Sequence, residues 1–295
     1  NTTKPLKTKI GNFEWQFITG RLNSSGFTPP HTEKTYAGTK LYVTKINQLG
    51  QFNDWRFLQA MTFSYSPKWI SNLNIGFIRW VQMYSAAFEG KYTWMGKRGS
   101  YFPLFSNLFR KNDKNSALEE QIDQAAGVFF RWYSKESNAE IYAEYNYNDS
   151  KLNLRDLLLD TDHSRAVTVG LQKVFKTKKE NYLFSWEWTQ MEQTASRLLR
   201  DAGSWYEHWY VYHGYTNNGE VLGASIGPGS NSHYFAISKI RDKEKTGIAF
   251  EIIDQDNDFY HEAFSSAQDS RRYWKDFNLH LNFSKKYKNL WLSSN

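Results

Sequence analysis

Cysteine is absent from the 295 residues, which removes disulfide frameworks, thiolate metal sites and thiol nucleophiles from consideration. Long apolar runs are absent as well. No stretch approaches the roughly 18 consecutive apolar residues of a transmembrane helix, and the mean hydropathy is −0.70. A helical membrane protein is thereby excluded. A β-barrel is not, because strands that face lipid on one side and water on the other average to a polar composition. The chain lacks an initiator Met and a signal-type apolar segment over Asn1–Leu22, which fits a mature secreted chain or an excised fragment equally well.

Aromatic residues, by contrast, are abundant. They make up 18% of the chain, as 12 Trp, 19 Tyr and 21 Phe, roughly twice the usual share in a soluble domain. Two uses compete and can coexist: aromatic girdles at the two interfaces of a membrane barrel, or platforms that stack sugars or bases. The formal net charge of +7 suggests a polyanion as partner, although the placement of the charges matters more than their sum.

Period-2 alternation recurs along most of the chain. Phe277, Leu279, Leu281 and Phe283 alternate with Asn278, His280, Asn282 and Ser284, and Phe13, Trp15 and Phe17 with Asn12, Glu14 and Gln16. This is the pattern of strands with one apolar and one wet face. Strands are predicted near 8–21, 55–66, 73–84, 123–134, 139–148, 165–176, 182–192, 232–241, 247–254 and 272–284, with one opening at 289. Short polar connections (67–72, 135–138, 177–181, 242–246, 285–288) alternate with long ones (23–54, 85–122, 149–164, 193–231, 255–270). Outer-membrane barrels sort their periplasmic turns and extracellular loops in this way. The expected fold class is therefore all-β, a single antiparallel transmembrane β-barrel domain over 1–295 with about 11 strands and long extracellular loops. An odd count with first and last strands running in the same direction does not close such a barrel, so further strands beyond both ends, or a partner chain, are expected to complete it.

Two long loops have content of their own. Residues 102–121 read as a helix, with Pro103 in the first turn and Leu104 and Leu108 on one face. Segment 36–53 alternates and suggests a hairpin outside the membrane. The most unusual stretch is Trp205–Tyr234. It gathers Trp205, Tyr206, Trp209, Tyr210, Tyr212 and Tyr215 around His208 and His213, then turns glycine-rich. Sugar recognition uses this mixture, since C–H faces stack on rings while hydroxyls need Asn, His and backbone partners. The candidate polysaccharide contacts are Trp205, Tyr206, His208, Trp209, Tyr212, His213, Tyr215, Asn217 and Asn218, aided by Arg197 and Arg200. Packing of the loop into the barrel interior is the competing explanation.

At this stretch the sequence resembles the Wzi capsule-assembly family. The resemblance rests on His213, Gly214, Tyr215, Gly219, Gly223 and the run Gly227–Ser230, with support from Ser64–Trp80, where a turn leads into a Gly-x-x-Arg strand, and from Arg21 with Leu22. It implies a non-enzymatic, lectin-like outer-membrane barrel larger than eleven strands that attaches capsular polysaccharide or exopolysaccharide, of which this chain would be the later part. No cofactor is implied. A pore or transporter for small solutes or oligosaccharides is the alternative reading.

Enzymatic readings are weaker. His213–Gly219 is similar in outline to the His, Ser, Asn arrangement of outer-membrane phospholipase A, but Thr216 stands where a serine is expected, and Ser225, Ser230 and Ser232 lie farther on. Asp254, Asp256 and Asp258 alternate as at the start of a calcium loop but lack its glycine and distal glutamate, so a solvated turn is expected there. Loop arginines, including Arg271 and Arg272, could meet acidic sugars or lipopolysaccharide phosphates. Nucleic acid is not expected, since no recognition motif accompanies the charge.

Overall fold

A computed structural model describes residues 4–26, 36–37, 40–41, 55–85, 104, 122–148, 161–194, 203–208, 210–241, 244–264, 269–287 and 290–294. The strands are β1 (Leu6–Lys7), β2 (Gly11–Leu22), β3 (Tyr36–Ala37), β4 (Lys40–Leu41), β5 (Arg56–Pro67), β6 (Leu73–Tyr84), β7 (Asp123–Ser134) and β8 (Ala139–Asn148). They continue with β9 (Arg165–Lys176), β10 (Asn181–Gln190), β11 (Thr216–Asn217), β12 (Glu220–Val221), β13 (Asn231–Arg241), β14 (Glu244–Gln255), β15 (Trp274–Tyr287) and β16 (Leu290–Ser294). A helix, α1 (Asn257–Ala263), follows β14. Among the described residues no helix is long and apolar enough to cross a membrane.

Among the described residues twelve strands form one sheet in the order β1-β2-β5-β6-β7-β8-β9-β10-β13-β14-β15-β16, every neighbour antiparallel. The pairs β3-β4 and β11-β12 stand apart as two small hairpins. The expected antiparallel strands are thus all present. The strand read over 8–21 begins instead at Gly11, after a turn at 8–10. Thr8 Oγ donates to the Gly11 carbonyl at 2.7 Å and Thr8 N to the same oxygen at 2.9 Å, a tight turn that sets β1 beside β2. Of the helix expected over 102–121, only Leu104 lies within the described residues; it is helical and buried with Val81, Met83 and Ile122. The hairpin expected in 36–53 is described only where Tyr36 pairs with Leu41 and Ala37 with Lys40.

Register explains the two faces. Phe13, Tyr65, Ile75, Phe130, Ala143, Val169, Trp188, His233, Ile252 and Phe277 form one row across ten strands. One residue out of step, Asn74, Arg131, Tyr142, Gly170, Glu187, Tyr234, Glu251 and Asn278 form a row on the opposite face. A side-chain period of two makes the faces this distinct. On the apolar face Phe277, Leu279 and Leu281 are 65%, 66% and 65% exposed. A contiguous band of that kind is stable against hydrocarbon and not against water.

The polar face is laced across strands. Ser66 Oγ donates to Asn74 Oδ1 at 2.5 Å, Arg131 pairs with Glu140 at 2.7 Å, and Tyr142 Oη donates to Glu187. Gly170 lies between those last two, and any side chain there would strike the Tyr142 ring. Glycine at that position lets the tyrosine cross β9 to reach β10.

The short connections gather at one end of the sheet and the long ones at the other, so the long-loop end is the extracellular one by the usual barrel orientation.

Candidate functional site

Residues 203–230, between β10 and β13, fold onto the polar face at the long-loop end. Tyr206 organises them. Its carbonyl accepts from Tyr215 N at 2.9 Å and its hydroxyl accepts from Ala224 N at 2.8 Å. Gly214, at φ 59°, and Gly223 both lie against Tyr206, so a Cβ at either would collide with it. Rings then step inward. Trp205 meets Tyr206 edge-on at 6.1 Å, Tyr206 stacks on Tyr215 at 6.2 Å, and Tyr215 stacks on Trp80 of β6 at 4.0 Å. Leu22, Leu58, Ala125, Ala166 and Met191 close around them.

Below the rings sits a polar clamp. Arg56 of β5 is fully buried. Its guanidinium donates to the carbonyls of Gly214, Asn23 (3.2 Å) and Thr216 (2.8 Å) and to Gln82 Oε1 (3.3 Å). Gln82 Nε2 in turn donates to Asp123 Oδ2 at 2.5 Å and to the Gly214 carbonyl at 3.0 Å. Tyr84 Oη and His213 Nδ1 share a hydrogen bond of 2.8 Å. A planar, multiply donating cation is suited to gripping three carbonyls at once. Sequence reading missed Arg56, Gln82 and Asp123, because a charged residue near the end of a barrel strand looks like any loop-edge charge.

The loop's tip is the β11-β12 hairpin. Asn218 and Gly219 have φ of 52° and 86°, the two positive values of a type I′ turn that Asn-Gly favours. The tip rests on the segment after β2, where Asn23 N donates to Asn217 Oδ1 at 2.9 Å and Asn218 N to the Asn23 carbonyl at 3.1 Å. Asn218 and Glu220 are exposed.

Two titrating groups flank this fold. His208 Nδ1 accepts from Tyr210 N (3.2 Å) and Val211 N (3.0 Å), which requires that nitrogen unprotonated. Burial holds its pKa down at about 4. Glu207 is exposed at the loop surface. Partial loss of water around its carboxyl, with Asp256, Asp258 and Glu262 nearby, pushes it up to about 7.

The Asp-rich segment is not a solvated turn. Asp256 caps α1, accepting from Phe259 N at 3.2 Å. Asp258 is 2% exposed and accepts from Gln193 N at 2.8 Å and Ser204 Oγ at 2.7 Å. Gly229, at φ 59°, lies against both aspartates, and its carbonyl accepts from Asn257 N at 2.9 Å. The run Gly227–Ser230 is therefore a seat for α1, and the aspartates fold loops together.

Of the residues expected to contact glycan, Trp205, Tyr206, His213 and Tyr215 are brought together inside the loop, with Trp205 4% and His213 9% exposed. His208 is used to hold backbone, and Tyr212 is half-buried. Asn217 and Asn218 reach the tip. Trp209, Arg197 and Arg200 lie outside the described residues. Arg271 and Arg272 pair with Asp269, at 2.8 and 3.6 Å.

The model of the family described as capsule assembly protein Wzi matches residues 2–291. The chain belongs to that family. No curated protein sequence matches it. A solved structure of Wzi from Escherichia coli, described as an outer-membrane protein involved in group 1 capsule assembly and a carbohydrate-binding β-barrel, is similar in fold. Its TM-score is 0.58 at 16% identity, over 97% of this chain and 52% of the other. The chain thus spans about half the length of that protein, and the likeness shows an antiparallel β-barrel fold. Family and apolar band agree on the bacterial outer membrane as the location of this Wzi-family chain.

Proposed function

We propose that this Wzi-family chain is a non-enzymatic, lectin-like outer-membrane protein that attaches surface polysaccharide through its long loops. The observation that carries the reading is the construction of residues 203–230: a ring stack and an Arg56 clamp fix the loop from below, leaving the Asn217–Glu220 tip displayed. Pre-ordering a polar, aromatic-backed surface lowers the entropy cost of holding a flexible glycan. Trp205 and His213 act as scaffold in this reading, and Tyr212, Asn217 and Asn218 as contacts, with Arg197 and Arg200 as further candidates for acidic groups.

A hydrolase has less support. Thr216 Oγ donates to the His213 carbonyl at 2.7 Å while the His213 ring engages Tyr84, so hydroxyl and imidazole of the His213–Gly219 motif are committed to different partners. A freely conducting pore has less support too, since residues 203–230 pack against the polar face of the sheet. The test pairs two measurements on the full-length protein: retention of purified capsular polysaccharide, and ion conductance in liposomes. Retention with low conductance is expected; free conductance with no retention contradicts the proposal.

A further inference from the structure

We infer a second glycan contact at the short-turn end of the sheet, in a recess between Tyr234, Lys245, Asn282, Ser284 and Ser293 that takes an acidic sugar residue. The recess has a volume of about 320 Å³, within the range of small-ligand pockets. Four consecutive strands build it. Lys245 of β14, Ser284 of β15 and Ser293 of β16 are register partners in one row. Asn282 stands one row further in, opposite Gly247, which brings no side chain of its own. Tyr234 of β13 closes the inner side.

The polar groups in this recess are unspent. Lys239 closes on Glu180 at 2.6 Å and Lys275 on Asp254 at 2.8 Å, whereas no carboxylate among the described residues pairs with Lys245. Nor, among the described residues, do the side chains of Asn282, Ser284 and Ser293 hydrogen-bond to protein. Glu251, the acid on this face nearest the recess in register, is engaged by His280 (3.4 Å) and Asn278 (3.5 Å). One ammonium, one amide, two aliphatic hydroxyls and a phenol ring are the complement of a polyol ring bearing a single carboxylate. A phosphate would call for several converging cations or backbone N–H groups, and the recess offers one cation.

This inference rests on the reading of the chain as a glycan-binding protein, yet it concerns the opposite end of the sheet from the loop tip, so the two fail separately. The test titrates sodium glucuronate, glucose and inorganic phosphate into the full-length protein in detergent, observed by saturation-transfer NMR. Wild type, Lys245→Met, Asn282→Ala and the outer-loop variant Asn218→Gly are compared, each checked for folding by heat-modifiable electrophoretic mobility. Lys245→Met should weaken glucuronate binding about tenfold, the loss of one charge-assisted contact, and leave glucose unchanged. Asn282→Ala should weaken both sugars. Equal glucuronate binding by wild type and both recess variants, or displacement of glucuronate by phosphate at equal concentration, would overturn the inference. Loss of polysaccharide retention in Asn218→Gly with glucuronate binding intact bears on the loop reading alone.

Discussion

Trp80 on β6 and Tyr215 in the loop after β10 lie face to face, centroids 4.0 Å apart and planes 10° from parallel. A membrane strand and an extracellular loop thus share one stacked pair, through which the barrel wall fixes the loop's position. Tyr215→Ala should loosen the loop by roughly 2 to 4 kcal/mol, combining lost burial with the lost stack. Tyr215→Phe should keep the stack and lose little. Limited proteolysis of the folded protein checks this: cleavage within 203–230 accelerates in the alanine variant alone, while strand content stays constant.

Arg56 should be harder to replace than Tyr215. Its removal takes one donor from each of the carbonyls of Gly214, Thr216 and Asn23, of which Gly214 keeps Gln82 and Asn23 keeps Asn218. Each hydrogen bond to a charged group contributes about 1.5 to 3 kcal/mol. Arg56→Lys keeps the charge but cannot grip three carbonyls with one compact ammonium. Hydrogen exchange at Thr216 and Tyr215 is expected to rise for Arg56→Lys nearly as much as for Arg56→Ala. Full protection in the lysine variant would show that charge alone suffices.

The pH response of the loop is a sum of opposing slopes. The folded pKa of Glu207 is raised to about 7, so its contribution is favourable at low pH and is lost as pH rises from the ordinary carboxylate range to 7. Burial raises Asp256 as well, with the same sign. His208, lowered to about 4, acts the other way, its contribution growing from pH 4 to the ordinary imidazole range near 6.5. In wild type the slopes offset one another over much of pH 4.5 to 6.5. Glu207→Gln should therefore unmask a rise in loop protection across that interval, read by hydrogen exchange at Tyr210 and Val211. A profile identical to wild type would show that Glu207 does not titrate there.

Much of this architecture is legible in the sequence. The predicted strands 73–84, 123–134, 139–148 and 165–176 coincide with β6 to β9, because polar turns bound them and apolar and aromatic residues recur along each over membrane-spanning length. The Thr8–Gly11 turn escaped because Ile10 continues an apolar rhythm while Thr8 closes the turn through its own hydroxyl. Asp256 and Asp258, the cap and first turn of α1, read as a solvated turn because composition does not distinguish one from a helix cap with a buried acid. Within 203–230 the glycines signalled a special backbone, and the structure shows why at Gly214 and Gly223, where Tyr206 fills the space. Which rings would be scaffold and which would face outward depended on Trp80 and Arg56, distant strand residues that no local pattern connects to the loop.

The lipid-facing band allows a direct check of the membrane assignment. Leu279 is flanked in register by Phe250 and exposed on the apolar face. Leu279→Arg should cost roughly 2 to 4 kcal/mol if that position lies near the bilayer midplane, whereas an arginine at Asn278, on the polar face, should cost much less. Folding titrations into liposomes in urea separate the two; equal losses would contradict the assignment of faces.

The central claim is that the loop tip, held from below, is what retains polysaccharide. Its most direct test is equilibrium binding of purified capsular polysaccharide to the full-length protein, comparing wild type with a Tyr212→Ala, Asn218→Gly variant. Glycine at 218 preserves the positive φ of the turn. Binding by the wild type that falls at least tenfold in a variant with unchanged barrel stability is the result this account predicts. Equal binding by both proteins, or none by the wild type, would contradict it.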